Sequence, residues 1–187
     1  MIGRLPQSVT VNGNEYAVRT DYRDILTILE AYNDPNLEDR EKVYVCLVIF
    51  YEDFIDVMPP DDYESALIEA MRFIDMGNEE SQSKRHPKTM DWEQDESILF
   101  PAINKVAGRE VRAMDYLHWW TFIGYFMEIS DGVFSQVMSL RMKKARGKKL
   151  EKYEREFWNT NKSMCVLRKK ISEQQKDEMD MLRAMFQ

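Results

Sequence analysis

Cysteine, glycine, proline and histidine are scarce in this chain of 187 residues, and each shortage excludes a class of protein. The two cysteines, Cys46 and Cys165, do not have the spacing of a disulfide framework or a zinc site, so we expect reduced thiols in a cytosol-like compartment. Only 7 glycines and 6 prolines interrupt the chain, which favours helices. No apolar run reaches the roughly 18 residues of a membrane span, and the N-terminal segment turns polar too early for a signal peptide. We therefore expect neither a membrane span nor export by that route.

The N-terminal segment is the exception to helix. Short alternating runs flank Asn12-Gly13, and both of these residues accept the positive φ of a tight hairpin turn. The pattern predicts a small β-hairpin, which must pack on helices or pair with another strand to be stable.

Apolar periodicity, capping residues and breakers predict helices over most of the remaining chain. Asp61 with Glu64 and Asp91 with Gln94 resemble capping boxes at two helix starts, and Gly77 is predicted at the C′ position of the first. Pro101 should kink the second, and residues 78–90 read as a polar loop. The helices are predicted at about 21–33, 38–51, 61–76, 91–107, 113–127, 132–142, 149–160 and 172–186. For 132–142 the predicted apolar stripe is Val133, Phe134, Val137 and Met138.

Charge is divided unevenly along the chain. The total is −7, but residues 141–187 hold 14 Lys+Arg and 7 Asp+Glu, a net of +7, which leaves −14 on residues 1–140. The predicted fold is mainly α. An acidic body of β-hairpin and helices at 1–140 is followed by a basic C-terminal helical arm at 141–187, which either stands apart or packs on the body as one domain.

The basic cluster at residues 141–149 is a candidate interaction site. Such a cluster is typical of nucleic-acid binding, but it also occurs as a solvated linker or paired with acidic groups of the same protein. The acidic body would repel phosphate, so nucleic acid is not an expected partner. Opposite charges on the two parts instead favour head-to-tail association between subunits. The six cations are Arg141, Lys143, Lys144, Arg146, Lys148 and Lys149.

The two histidines give little support to catalysis. His86 precedes Pro87 in the polar loop, where solvent exposure is expected. His118 follows Asp115 by three residues, so the pair could orient a base, but no nucleophile stands at a recognisable spacing. The acidic residues Asp91, Glu93, Asp95 and Glu96 could hold a cation, although helix capping explains them more simply. We expect no enzymatic activity, no cofactor and no metal.

Two apolar features remain. The predicted helix 113–127 is aromatic on nearly all sides and should lie in the core, because a base-stacking platform would need basic neighbours that it lacks. Its aromatic residues are Tyr116, Trp119, Trp120, Phe122, Tyr125 and Phe126. The C-terminal helix carries a methionine-rich stripe, which suits either docking in another protein's groove or packing on its own domain. This stripe comprises Met179, Leu182, Met185 and Phe186.

Three blocks resemble, in order and spacing, the "gene product fifteen" family of long-tailed bacteriophages and prophages of Gram-positive bacteria. They are Met90-Asp-Trp-Glu-Gln-Asp95, Tyr116-Leu-His-Trp-Trp120 and Phe134-Ser-Gln-Val-Met-Ser-Leu-Arg141. The resemblance extends from the N-terminus to about residue 160, with Pro101 and the methionine-rich end as departures. The residues that carry it are Trp92, Tyr116, Leu117, His118, Trp119, Trp120, Phe134, Met138 and Arg141.

The resemblance implies a protein of the tail-morphogenesis module that acts in the host bacterial cytoplasm during phage assembly. It implies a tail assembly chaperone whose partners are the tape-measure protein and tail-tube subunits, with no catalytic residues to carry over. Self-association through charge-complementary surfaces is the accompanying expectation. The alternatives are a structural tail or neck component of the virion and a nucleic-acid-binding regulator that uses residues 141–149.

Overall fold

A computed structural model of the chain describes residues 2–77 and 87–185, which divide into two compact units. Unit 1 comprises the described residues of Met1–Gly77 and Lys169–Gln187, and unit 2 comprises those of Asn78–Arg168. The predicted boundary at residue 140 falls inside the helix Val133–Ala145 of unit 2. A separate basic arm from residue 141 stays a prediction.

The described residues form a mainly α fold with one two-stranded sheet, as predicted. Two short 3₁₀ helices, Pro60–Asp62 and Val111–Ala113, lie between the longer elements. None of the helices in these residues is long and apolar enough to cross a membrane. The elements are β1 (Ser8–Val11), β2 (Asn14–Ala17), α1 (Tyr22–Asn33), α2 (Asp39–Phe50), α3 (Phe54–Val57), α4 (Tyr63–Ile74), α5 (Glu96–Ala107), α6 (Trp119–Met127), α7 (Val133–Ala145), α8 (Lys152–Thr160), α9 (Lys162–Cys165) and α10 (Glu173–Met185).

The hairpin prediction is confirmed. Strands β1 and β2 pair antiparallel, and Val11 faces Asn14 across a two-residue turn. In that turn Asn12 has φ 48° and Gly13 has φ 88°, the positive values that a type I′ turn requires. The hairpin also gains the support it needs, because Val18 forms an isolated bridge with Tyr51 and β1 packs against α4.

Arg19 joins the end of the hairpin to the end of α2. Its guanidinium donates to the carbonyls of Val48, Ile49 and Tyr51 at 3.0, 2.8 and 2.9 Å, and to that of Glu52 at 3.0 Å. These carbonyls have no partner within the helix, and a cation is favourable at the negative end of the helix dipole. Arg19 therefore fixes the direction in which the chain leaves α2.

Capping explains the first two helices. Asp21 accepts a hydrogen bond from the Arg23 N–H at 2.9 Å at the start of α1. Glu38 and Glu41 form a capping box at the start of α2, so the charged residues set the helical state of a β-branched run that could also suit a strand. These two helices pack against each other, and their buried residues are Tyr22, Ile25 and Ile28 on α1 and Cys46, Leu47 and Phe50 on α2.

Helix α4 begins and ends about two residues inside the predicted range of 61–76. The helix begins at Tyr63 rather than Asp61, after the 3₁₀ helix, and the carboxylate of Asp62 accepts from Asn12 Nδ2 at 2.7 Å instead of capping α4. At the other end Met76, not Gly77, takes the C′ position with φ 56°. The Met76 and Gly77 N–H groups donate to the carbonyls of residues 73 and 72, which is a Schellman motif.

In unit 2 the start of α5 also differs from the prediction. Asp91 accepts from the Gln94 N–H at 3.1 Å and so caps a preceding turn, while α5 itself begins at Glu96. Gly108 ends the helix with φ 69°, as a left-handed C-terminal residue should. Pro101 lies inside α5 on its exposed side, and the kink stays a prediction. Residues 78–86 of the predicted polar loop lie outside the described residues.

The largest correction concerns the predicted helix 113–127, because α6 begins only at Trp119. The chain before it is a 3₁₀ turn and then an extended segment in which Leu117 and His118 are buried but Tyr116 is 48% exposed. The reason is the cap: His118 Nδ1 accepts from the Trp120 N–H at 3.0 Å. Asp115 and His118 therefore do not share a helical face, and that prediction is wrong.

The helices that follow are close to the predicted ranges. Along α7 the residues Phe134, Val137 and Leu140 are buried, whereas Val133, predicted on the apolar stripe, is 47% exposed. Helix α8 begins at Lys152 because Glu151 and Glu154 form a capping box. Helix α10 matches the predicted C-terminal helix, although Phe186 lies outside the described residues.

Candidate functional site

An aromatic core occupies the centre of unit 2. The Trp92 ring lies 6.3 Å from that of Trp119, 6.2 Å from Phe122 and 5.4 Å from Phe126, measured between centroids. Phe134 completes the group, with its ring 5.9 Å from that of Phe126. Aromatic pairs at these distances stabilise a core by more than the burial of their apolar surface alone would. The predicted role of α6 as a core helix thus holds for its buried side.

Arg141 connects this core to three other segments. Its guanidinium forms a two-bond ion pair with Asp95 at 2.6 and 2.8 Å, and both side chains are almost completely buried. It also donates to the carbonyls of Thr89, Met164 and Cys165 at 2.9, 2.6 and 2.9 Å. Asp95 in turn accepts from the Asp91 N–H at 3.0 Å. Arg141 therefore holds unit 2 together and does not belong to an exposed basic surface.

Most residues that carry the family resemblance are packing residues. Leu117, His118, Trp119, Phe134 and Arg141 are buried. Trp92, Trp120 and Met138 are half-buried, and Tyr116 is exposed. The blocks around Trp92, His118 and Arg141 therefore come together as the interior of one unit, which their separation along the chain did not reveal.

Lys143 is also committed to an internal contact. Its ammonium pairs with the carboxylate of Glu154, a buried residue of α8. Hydrogen bonding from Lys143 lowers the pKa of Glu154, and the same bond raises the pKa of Lys143. Both groups are therefore more firmly charged than in the free amino acids, and the pair fastens α8 to the end of α7.

Lys144, Lys148 and Lys149 border an open cleft of about 860 Å³ between the end of α7 and helix α8. We call it the basic cleft. The ammonium of Lys144 lies 4.2 Å from the centre of the Trp158 ring, a cation–π contact. Arg146 is exposed at the end of α7 and does not line the cleft. The lining residues are Lys144, Gly147, Lys148, Lys149, Leu150, Glu151, Arg155, Trp158 and Asn159.

Within residues 87–168, three cations of the basic cleft have no acidic partner. The side chains of Lys148, Lys149 and Arg155 form no ion pair or hydrogen bond in this part of the chain. The one carboxylate in the lining, that of Glu151, accepts from the backbone at the start of α8. The cleft thus combines unpaired positive charge with the apolar surfaces of Leu150 and Trp158.

Trp158 and Arg155 were not among the residues predicted from the sequence. The available signal was their spacing of three residues in a predicted helix beside the basic cluster, which places them on one face. What the sequence did not reveal was the turn at Gly147, where φ is 68°, and the contact between Lys144 at the end of α7 and Trp158 of α8. This turn brings the cluster to the aromatic ring.

A comparison with known families gives a clear match. The family model described as Bacteriophage Gp15 protein matches residues 1–167. The chain belongs to this family. No curated protein and no solved structure matches the chain. The match covers the aromatic core, Arg141 and the basic cleft, whereas α10 of this Gp15-family protein lies beyond it.

Helix α10 exposes apolar side chains to solvent. Met179 is 43% exposed, Leu182 54% and Met181 70%, and every residue from 173 to 184 is exposed. Met179 and Leu182 share one face through their spacing of three residues. The Glu173 N–H donates to Asn36 Oδ1 at 2.9 Å, which connects the start of α10 to the loop after α1. Met185 ends the helix, and Phe186 lies outside the described residues.

Three of the four acidic residues considered as a cation site, Asp91, Asp95 and Glu96, have other contacts. Asp95 binds Arg141, and Asp91 binds Lys88 at 3.0 Å and caps a turn. Within residues 2–77 and 87–185, no three His, Cys, Asp or Glu side chains form a group that could hold a metal. Arg112 approaches both Glu96 and Glu110, at 3.8 and 2.8 Å. These contacts give each carboxylate named here a structural explanation.

Proposed function

We propose that this bacteriophage protein is a tail assembly chaperone that binds the tape-measure protein in the host cytoplasm, assists tail-tube assembly and associates with copies of itself. Membership of the Gp15 family supports a phage role. A binding role, rather than catalysis, is consistent with His118, whose side chain caps α6 in the protein interior.

The exposed face of α10 is the observation that carries the proposal. An amphipathic helix with methionine and leucine on one face suits a hydrophobic groove, and methionine adapts to irregular surfaces. The tape-measure protein is the partner that the family resemblance implies. The exposure of Met179 and Leu182 favours docking on a partner over packing on the same unit.

The test is co-expression of the full chain with the cognate tape-measure protein. We expect the tape-measure protein to stay soluble and to co-purify. Leu182→Glu should reduce the co-purified amount about tenfold or more, because it removes the burial of a leucine side chain and adds a charge. The matched control is Gln174→Glu, which adds the same charge to an exposed position of α10.

Three outcomes would count against the proposal. A tape-measure protein that remains insoluble beside the wild-type chain would exclude the chaperone role. Stoichiometric recovery of the protein in purified virions would instead favour a structural tail or neck component. Equal co-purification by Leu182→Glu and Gln174→Glu would show that α10 is not the docking element.

A further inference from the structure

A ligand that complements the basic cleft would have two properties. It would bring negative charge to Lys148, Lys149 and Arg155, which have no acidic partner within residues 87–168. It would also bring an apolar group, because Leu150 and Trp158 form part of the lining. A ligand that carries acidic and aliphatic side chains together satisfies both requirements.

A segment of unit 1 has this composition. Residues 52–57, Glu-Asp-Phe-Ile-Asp-Val, follow α2 directly and include α3, and we call them the acidic segment. Ile55 is 72% exposed and Val57 58%. The carboxylates of Glu52, Asp53 and Asp56 form no ion pair or hydrogen bond within residues 2–77. The acidic segment therefore has unpaired negative charge and exposed aliphatic groups side by side.

The surrounding sequence strengthens the charge of the acidic segment. No Lys, Arg or His occurs between Lys42 and Arg72, whereas seven Asp or Glu residues do. Residues 1–77 as a whole hold 6 Lys+Arg and 16 Asp+Glu, a net charge of −10. A negative potential over this surface would attract the basic cleft before contact is made.

The acidic segment is also held in shape before binding. Phe54 is buried, and its ring lies 6.0 Å from that of Tyr44 and 4.8 Å from that of Tyr63. Arg19 binds the carbonyls of Tyr51 and Glu52 immediately before it. Because the backbone is already fixed, less conformational entropy is lost on binding.

We propose that the basic cleft of one copy binds the acidic segment of a second copy, a contact that rests on the self-association in the proposed function. The two surfaces are different patches of the chain, so the contact is either made twice across a two-fold axis or repeated from copy to copy in a closed ring or an open chain. Assembly in this manner should weaken as ionic strength rises, because the cleft and the segment carry opposite charges.

Two double variants test the contact in the full chain. Lys148→Glu with Lys149→Glu reverses the charge of the cleft, and Asp53→Lys with Asp56→Lys reverses that of the segment. Each should weaken self-association about tenfold or more, because like charges then face each other. When the two variants are mixed, the cleft of each variant meets a segment of opposite charge on the other variant. We expect the mixture to associate again, in assemblies in which the two variants alternate, so that sedimentation or light scattering shows masses well above that of the monomer.

The matched control is Arg109→Glu with Lys162→Glu, which makes the same change of charge at exposed positions of unit 2 outside the cleft. It should associate like the wild-type chain. Recovery by mixing requires that the contact joins two chains, so it would establish both surfaces at once. A mixture that stays dissociated would overturn the pairing of cleft with segment, even where the wild-type chain associates.

Two further outcomes separate this proposal from others. A wild-type chain that is monomeric at low and high salt would overturn self-association, while co-purification with the tape-measure protein tests the chaperone role independently. A labelled single-stranded oligonucleotide that binds the wild-type chain and the control, but not the cleft variant, would identify the basic cleft as a nucleic-acid site and overturn the proposal. Such binding would fall steeply with salt.

Discussion

Replacing Arg141 by methionine should lower the free energy of unfolding of unit 2 by about 3–5 kcal/mol. The change leaves the carboxylate of Asp95 buried without its partner, and removing one member of a buried ion pair costs this much. It also removes the donor of the three carbonyls at Thr89, Met164 and Cys165. Each carbonyl left without a bond adds to the cost, so the upper half of the range is expected.

Tryptophan fluorescence during urea unfolding measures this loss in the appropriate unit. All four tryptophans lie between Trp92 and Trp158 and therefore in unit 2. Arg109→Met is the matched control, because Arg109 is exposed and the same substitution there should cost less than about 0.5 kcal/mol. A loss below about 1 kcal/mol for Arg141→Met would refute the reasoning.

A second variant separates the cost of the unpaired Asp95 carboxylate from the cost of leaving three carbonyls without a hydrogen-bond donor. Arg141→Met combined with Asp95→Leu leaves no buried charge, and such replacements of a whole ion pair are often tolerated. The double variant should therefore be more stable than Arg141→Met alone. It should remain less stable than the wild-type chain, because the carbonyls of Thr89, Met164 and Cys165 still lack a donor. If the double variant loses as much free energy of unfolding as Arg141→Met and Asp95→Leu lose separately when added together, the unpaired buried charge is not the main cause of the loss.

Two predictions concern the remaining structure. Met76→Gly should stabilise unit 1 by about 1 kcal/mol, because a left-handed φ of 56° strains any residue with a Cβ. Circular dichroism during urea unfolding should detect this gain. The control Met76→Ala should give no gain, because alanine keeps the Cβ. Burial raises the pKa of Cys46 to about 11 and also raises that of Cys165, so each thiol stays protonated as the pH rises through its ordinary value. At pH 8 roughly one Cys46 in a thousand should be a thiolate, and a disulfide reagent should label neither cysteine before unfolding; rapid labelling of the native chain would contradict both burial and pKa.

Local chemistry was sufficient to predict most elements. The Asn12-Gly13 turn specifies a hairpin through two positive φ values, and the sequence contains no competing signal there. The charged start of α2 at residues 38–41 favours a helix for an apolar run that would also suit a buried strand, and Glu38 and Glu41 form a capping box there. In each case the deciding contacts lie within four residues, which is why a pattern in the sequence can report them.

The start of α6 could not be predicted in this way. The residues before Trp119 continue the apolar pattern of the helix, so periodicity alone extends it to about residue 113. In the structure Leu117 and His118 are buried from an extended segment, and His118 caps the helix. Histidine is not among the usual capping residues, so no ordinary start signal marks this position.

Arg141 shows the same limit for the candidate site. Within a run of cations it reads as one more surface charge, and its carboxylate partner lies 46 positions away. The cleft also depends on distant geometry, because it forms only where the turn at Gly147 brings α8 beside α7. The sequence therefore predicted a basic interaction surface but could not separate its buried member from its exposed ones.

The distinction between buried and exposed residues of the basic cluster decides which variants can test function. The residues that carry the family resemblance mostly pack inside unit 2, so changing Arg141 or Trp119 should reduce binding only by unfolding the protein. The exposed members of the cluster, such as Lys148 and Lys149, have no internal partner within residues 87–168 and can be reversed in charge at little cost to stability. Loss of association in their charge-reversed variant, with urea unfolding unchanged, would therefore be a loss of contact rather than of fold.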